Sequence, residues 1–259
     1  MTPHMTPELL RARVLYSDAH LIVLDKPAGV AVHAGPRTPN AVEAWLDWLR
    51  FGFARLPGFA HRLDTDTTGC LVLGRHPKAL RRLGELFAAG TIERVYWAIV
   101  TGHPPDESGR IEKPLLKTTE KTGWRVVVDR KGQSAVTDYR VLGRGATSTW
   151  LELRPRTGRT HQLRVHCAAE GMPIVGDALY GRARAGTPFL LHAVRVEIPY
   201  DTRRPLVVAE APVPEPLKQA IDRLGEADGP APARPPRTRP PGTRPPGTRP
   251  LGKPARKAG

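Results

Sequence analysis

His61-Arg62-Leu63-Asp64-Thr65-Asp66-Thr67-Thr68-Gly69 sets a carboxylate between an arginine and a run of hydroxyls, directly before the apolar segment Cys70-Leu71-Val72-Leu73. Residues 69–75 read as a buried strand, a short apolar run bounded by turn residues. Taken alone, Asp64 reads as a turn or capping residue, because an aspartate in a threonine-rich turn accepts local backbone hydrogen bonds. Asp66 competes with it for any carboxylate role. A second stretch adds to the first: Arg156-Thr157-Gly158-Arg159-Thr160-His161-Gln162-Leu163-Arg164-Val165-His166. Here Thr160 caps an expected helix that runs to Glu170 and ends at Gly171. His161 and Arg164, three apart, would share a face of it.

Working outward, Arg13–Tyr16 and His20–Leu24 read as strands rich in large apolar residues, and Asp25-Lys26-Pro27-Ala28-Gly29 breaks the second. Asn40 caps an expected helix over Ala41–Leu49. Pro77 opens another, with Leu80, Leu83, Leu86 and Phe87 at helical spacing and Gly90 closing it. Glu93–Val100 is a strand, 102–123 a loop or hairpin insertion, and strands follow near 124–129, 134–142 and 148–154. Phe189–Pro199 forms a further strand and Pro216–Leu224 a short terminal helix. Many strands with few helices between them point to an α+β fold with a mixed, mostly antiparallel sheet.

The chain of 259 residues carries a net charge of +15, unevenly spread. Residues 229–259 hold eight Lys/Arg and no acidic residue, which leaves 40 − 8 = 32 basic against 25 acidic, +7, in the rest. A basic body favours a polyanionic partner, of which nucleic acid is the commonest. From about Gly225 the composition changes: ten of the last thirty-one residues are proline, and Arg-Pro-Pro-Gly-Thr recurs over 239–248. Such a segment cannot bury apolar area and is expected to be a disordered, cationic tail. It is either a passive appendage or a non-specific RNA tether.

Two cysteines, Cys70 and Cys167, are too few for a disulfide framework and fit a reducing cytosol. His161 and His166 are five apart, which suits no common helical ligand pair, so no metal is expected. No apolar run is long enough to span a bilayer, and the first residues lack a signal-peptide pattern.

Together the H-R-L-D element at Asp64 and the G-R-T-H-Q-L-R element ending at Arg164 resemble the RluA-type pseudouridine synthases, RNA-modifying enzymes that convert uridine to its carbon-linked isomer. Three more elements follow the family's order: Leu24–His33, Glu93–Gly102, and Gly171–Gly181 with Leu191-His192-Ala193. Thr68 stands where serine is usual, Cys70 where leucine is, and Arg94 where lysine is commoner. The resemblance spans about residues 13–212. It implies a central mixed sheet with a cleft flanked by short helices and loops, and a cofactor-free reaction. It also implies that Asp64 is the catalytic nucleophile and that Arg164 pairs with it, a nearby cation keeping a buried carboxylate ionised. Tyr96 would stack on the target base and relay a proton, and Leu163 would wall the base pocket. Arg62 would occupy the space of the extracted nucleotide, since the reacting atoms are inaccessible in a stacked helix. His61, Arg159 and His161, within the same two elements, are further substrate-binding candidates. Outside the resemblance each has a plainer reading: Arg164 and Arg62 as phosphate contacts, Tyr96 as a half-buried strand residue, Leu163 as core.

The sequence therefore carries the expectation of an N-terminal extension over 1–12, a pseudouridine synthase domain over 13–224 and the basic tail over 225–259, with no separate amino-terminal RNA-binding domain. The expected partner is a stem-loop of ribosomal and/or transfer RNA, met by a cytosolic monomer. Two rivals use the same residues. One is a catalytically silent RNA-binding or chaperone protein on the same fold, against which the intact Asp64, Tyr96 and Arg164 set argues. The other is a base glycosylase, which would release free uracil where an isomerase releases nothing.

Overall fold

The structure, a computed structural model, describes residues 5–35, 41–120 and 123–226. In chain order the strands are β1 (Val14–Ser17), β2 (Leu21–Lys26), β3 (Gly58–Phe59), β4 (Thr68–Gly74), β5 (Glu93–Thr101), β6 (Ser108–Glu112), β7 (Leu115–Glu120), β8 (Gly123–Val128), β9 (Val136–Arg144), β10 (Ser148–Pro155), β11 (Leu191–Ile198) and β12 (Val207–Glu210). The helices are α1 (Pro7–Arg11), α2 (Pro77–Ala88), α3 (Gln162–Ala169) and α4 (Glu215–Glu226), with a 3-10 helix over Val42–Leu49.

Ten strands form one sheet whose main path is β1-β2-β4-β11-β5-β10-β9-β6, with β3 on β4 and β12 on β11; β7 and β8 form a separate hairpin. The α+β expectation of a mixed, mostly antiparallel sheet is met. The β4–β11 pairing is parallel, with Thr68 opposite His192 and Gly69 opposite Ala193. Gly69 adopts φ +102°, and a Cβ there would lie 2.2 Å from the Ala193 carbonyl oxygen, so this junction accepts only glycine. The strand entering the middle of the sheet thus follows directly on the loop that carries Asp64.

The apolar run of β5 is buried on both faces. Tyr96, Ala98 and Val100 join the main core with β2, β4 and the 3-10 helix, whereas Trp97 and Ile99 pack with Leu217 and Leu224 of α4. Full burial of one such leucine contributes about 1.5–3 kcal/mol. Helix α2 begins at Pro77, and the His76 ring accepts from the Ala79 N–H at 3.1 Å. Its Leu83 and Leu86 enter the main core.

Several local expectations change. Helix α3 starts at Gln162, and His161 rather than Thr160 takes the capping position, in the left-handed region at φ 55°. The Val42–Leu49 helix closes i→i+3 bonds and buries Val42, Trp45, Leu46 and Leu49. The Asn40 cap lies outside the described residues. The 102–123 insertion holds edge strand β6 and the first arm of the β7–β8 hairpin. Helix α1 packs the fully buried Leu10 into the core, capped by Thr6. Helix α4 passes 225, where the tail was expected to begin; residues 227–259 lie outside the described residues.

Candidate active site

The loop from Ala60 to Thr67 is tied down at both ends before it presents Asp64. At its start, Ala60 N–H donates to the Val72 carbonyl at 3.0 Å and the His61 Nε2 accepts from the Val72 N–H at 3.0 Å. A backbone N–H can only donate, so the neutral His61 ring carries its hydrogen on Nδ1. Burial pushes the His61 pKa down to about 3, and the ring stays uncharged. At the other end, Thr67 N–H closes a turn onto the Asp64 carbonyl at 3.1 Å.

Lys26, at the end of β2, is fully buried beneath this loop. Its Nζ donates to the carbonyls of Pro27, Val30 and Thr65 at 2.9, 2.7 and 2.8 Å. Burial lowers its pKa to about 7, against the opposing pull of Asp66, Asp64 and Asp25. Three accepting carbonyls call for the three hydrogens of an ammonium, so the geometry favours the charged form. The sequence placed Lys26 in a strand-breaking turn within the Leu24–His33 element and gave it no role.

Arg164 reaches Asp64 from α3, its Nη1 donating to Asp64 Oδ2 at 3.1 Å. The guanidinium is held from behind by Asp177, whose oxygens accept from Nε at 2.8 Å and Nη2 at 2.9 Å. Asp177 is 1% exposed and also accepts from the backbone N–H groups of Leu179 and Tyr180. Burial alone would depress the Arg164 pKa, but Asp177 and Asp64 outweigh it and hold the guanidinium charged. Burial likewise pushes Asp177 upward, and the Arg164 bonds reverse that to a net lowering. Asp64 Oδ1 accepts from no group among the described residues.

His161 brings its Nε2 to 3.7 Å from Asp64 Oδ2, and its Nδ1 lies 2.8 Å from the Tyr180 hydroxyl. The cleft over Asp64 has a volume of about 430 Å³ and is lined by all eight residues singled out in the sequence. Tyr96 is buried in its wall, with its phenol pKa raised by burial and its hydroxyl paired with no group among the described residues. Leu163 is buried beside it, while Arg62 and Arg159 are exposed at the rim. Arg159 Nε donates to the Ser134 carbonyl at 3.0 Å. His61 differs from the rest in that one ring nitrogen is committed to β4.

Sequence reasoning missed Asp177, Tyr180, Lys26 and Arg94. Arg94 donates to the carbonyls of Pro155 and Thr157 and so anchors the loop leading to Arg159. Gly176-Asp177-Ala178-Leu179-Tyr180-Gly181 offered a signal, an acidic residue between apolar neighbours, which a reading of the glycines alone overlooks. Among the described residues no three His, Cys, Asp or Glu side chains are grouped to hold a metal ion, and no helix is long and apolar enough to cross a membrane.

Comparison with known proteins converges on one family. The family described as RNA pseudouridylate synthase matches residues 20–169. An uncharacterised RNA pseudouridine synthase of Zymomonas mobilis is 45% identical over 211 residues, covering 80% of this chain and 96% of that protein. Ribosomal large subunit pseudouridine synthase C of Escherichia coli is 35% identical over 239 residues, covering 88% of this chain and 75% of its own length. Among solved structures, human RNA pseudouridylate synthase domain containing 4 superposes with a TM-score of 0.70 at 26% identity, covering 85% of this chain and 95% of that one. With that match over more than half its length, and with Asp64 and Arg164 paired in its cleft, the chain belongs to the RluA-type RNA pseudouridine synthases, isomerases that act on RNA.

Proposed function

We propose that this enzyme isomerises specific uridines in ribosomal and/or transfer RNA, with Asp64 as the nucleophile and the target nucleotide flipped out of a stem-loop into the cleft. The observation that carries the reading is the asymmetry of Asp64: Oδ2 is held by Arg164, and Oδ1 accepts from no group among the described residues. A carboxylate so arranged is paired with a cation through one oxygen and keeps the other for attack on the nucleoside. A ribosomal target is supported by the names of relatives such as the large subunit synthases C and D.

In this reading Tyr96 stacks on the uracil from the cleft wall, Leu163 closes the apolar side, and Arg62 enters the space left by the extracted nucleotide. Arg159 contacts phosphate at the rim, His161 adjoins the reacting carboxylate, and His61 supports the loop beneath the substrate. The buried free thiols of Cys70 and Cys167 suit a reducing compartment such as the cytoplasm, where in this reading the enzyme acts as a monomer.

The test is carbodiimide mapping of pseudouridine on total RNA from a strain lacking this gene, complemented by wild type or by Asp64→Asn. A site that disappears on deletion and returns only with wild type establishes both reaction and substrate. Unchanged pseudouridine at every ribosomal and transfer RNA position, with tight RNA binding retained, would favour the silent RNA-binding alternative.

A further inference from the structure

His161 is a non-glycine residue at φ 55°, a backbone conformation that costs energy and persists only where its surroundings enforce it. Its side chain is held by a contact chain from the β7–β8 hairpin. Val126 N–H on β8 donates to the Tyr180 hydroxyl oxygen at 3.0 Å, and that hydroxyl lies 2.8 Å from His161 Nδ1. The hairpin's Trp124 covers the imidazole, with ring centroids 5.0 Å apart and planes at 31°. Lys117, on the opposite arm, sits 4.5 Å over the same indole.

The hydrogen positions follow from donor and acceptor inventories. The Tyr180 oxygen already accepts from a backbone N–H, so its single hydrogen is free to go to His161 Nδ1. The ring then carries its hydrogen on Nε2, which faces Asp64 Oδ2 at 3.7 Å. The other neutral tautomer would strand the Tyr180 hydrogen and point a nitrogen lone pair at a carboxylate oxygen. Both ends of the ring select the same form. The groups around it also favour neutrality: burial lowers the His161 pKa, and Arg164 and Arg62 reinforce burial against Asp64 and Asp177.

We propose that Tyr180 and the β7–β8 hairpin fix His161 as its Nε2–H tautomer, making it a positioning residue that donates to Asp64 Oδ2 beside Arg164 and leaves Oδ1 as the reacting oxygen. At 3.7 Å the pair is longer than a hydrogen bond, and it must tighten once a base is bound, as catalytic contacts commonly do. The hairpin is thereby coupled to the nucleophile through Val126, Tyr180 and His161. This inference rests on the reading of Asp64 as the nucleophile.

The test combines nitrogen-15 spectra of histidine-labelled enzyme at neutral pH with single-turnover kinetics on the mapped RNA. The His161 signals, assigned by their loss in His161→Asn, should report the Nε2–H tautomer, and Tyr180→Phe should convert it to a tautomer mixture. Asparagine tolerates the left-handed region, so His161→Asn should fold cooperatively, its melting temperature lowered only by the loss of the Tyr180 and Trp124 contacts. Its single-turnover rate should fall about tenfold to a hundredfold while RNA affinity stays within about twofold. An Nδ1–H or doubly protonated His161 in the wild type would overturn the proposal, and so would a wild-type rate in His161→Asn. If the wild-type enzyme turned over no RNA, the proposed function would fall, whereas the spectra, recorded without RNA, would still decide the tautomer.

Discussion

Replacing Asp177 by asparagine isolates the support behind the catalytic pair. Asp177 Oδ1 accepts from Arg164 Nη2 and from the N–H groups of Leu179 and Tyr180, each at 2.9 Å, and Oδ2 accepts from Arg164 Nε at 2.8 Å. Asparagine preserves the first oxygen and sets an amide donor against the Nε–H. Breaking a buried ion pair on one side costs about 3–5 kcal/mol. The lower end applies, because Arg164 keeps Asp64 at 3.1 Å. A loss of about 3 kcal/mol leaves an ordinary domain folded at 25 °C. For a chain of this size it lowers Tm by roughly 6–12 °C. The chemical effect should be larger. Released on one side, Arg164 turns toward Asp64 and engages the oxygen needed for attack, and a misplacement of this order slows reaction about a hundredfold. Urea unfolding reads the first effect, and tritium release from 5-tritiated uridine in substrate RNA reads the second. An Asp177→Asn enzyme with wild-type midpoint and wild-type rate would refute the reasoning.

Other expectations follow from single contacts. Lys26→Met orphans the carbonyls of Pro27, Val30 and Thr65, and should cost about 3 kcal/mol or more in urea unfolding; a smaller loss than 1 kcal/mol would contradict the buried-ammonium assignment. Gly69→Ala drives a methyl to 2.2 Å from the Ala193 carbonyl oxygen, and about 3 kcal/mol of stability should go with it, seen as a lower unfolding midpoint. His192 is held neutral by burial, its pKa pushed down to about 4. The unfolded chain therefore takes up this proton first, and as pH falls from about 6.5 to 4 the fold loses about 3 kcal/mol through this group. Urea titrations at both pH values should show His192→Gln losing less stability than wild type over that interval, and equal losses would dismiss the assignment.

The parts of this molecule readable in the sequence are those whose signal is local. The run Cys70–Leu73 reads as a buried strand and is buried on both faces, and the leucine spacing of α2 survives in the structure. Strand β6 was missed because an edge strand with Ile111 as its buried residue leaves no alternation to detect. In β12 the exposed face carries Val208, so burial alternates without an apolar/polar alternation to read, and α1, five residues long, is shorter than a helical periodicity window. At the site, Asp64, Tyr96 and Arg164 stood in recognisable elements with roles attached, whereas Lys26, Asp177 and Tyr180 stood in such elements with no role attached. Lysine is almost never fully buried, so a turn containing Lys26 gives no hint that its ammonium lies under the Asp64 loop. Asp177 meets Arg164 across a turn, 13 residues on, and Tyr180 meets the β8 backbone 54 residues away. The left-handed backbone of His161 has no sequence signal at all, since the same position reads as an ordinary helical first turn behind Thr160.

The most direct test of the central claim is turnover by purified Asp64→Asn on the RNA that mapping identifies, alongside its affinity for that RNA. Asparagine preserves shape and the Arg164-facing oxygen but supplies no nucleophilic carboxylate. The expected result is no detectable pseudouridine, with RNA affinity and unfolding midpoint close to wild type. Pseudouridine formation by Asp64→Asn at a rate near wild type would contradict the account and move the chemistry to another residue of the cleft.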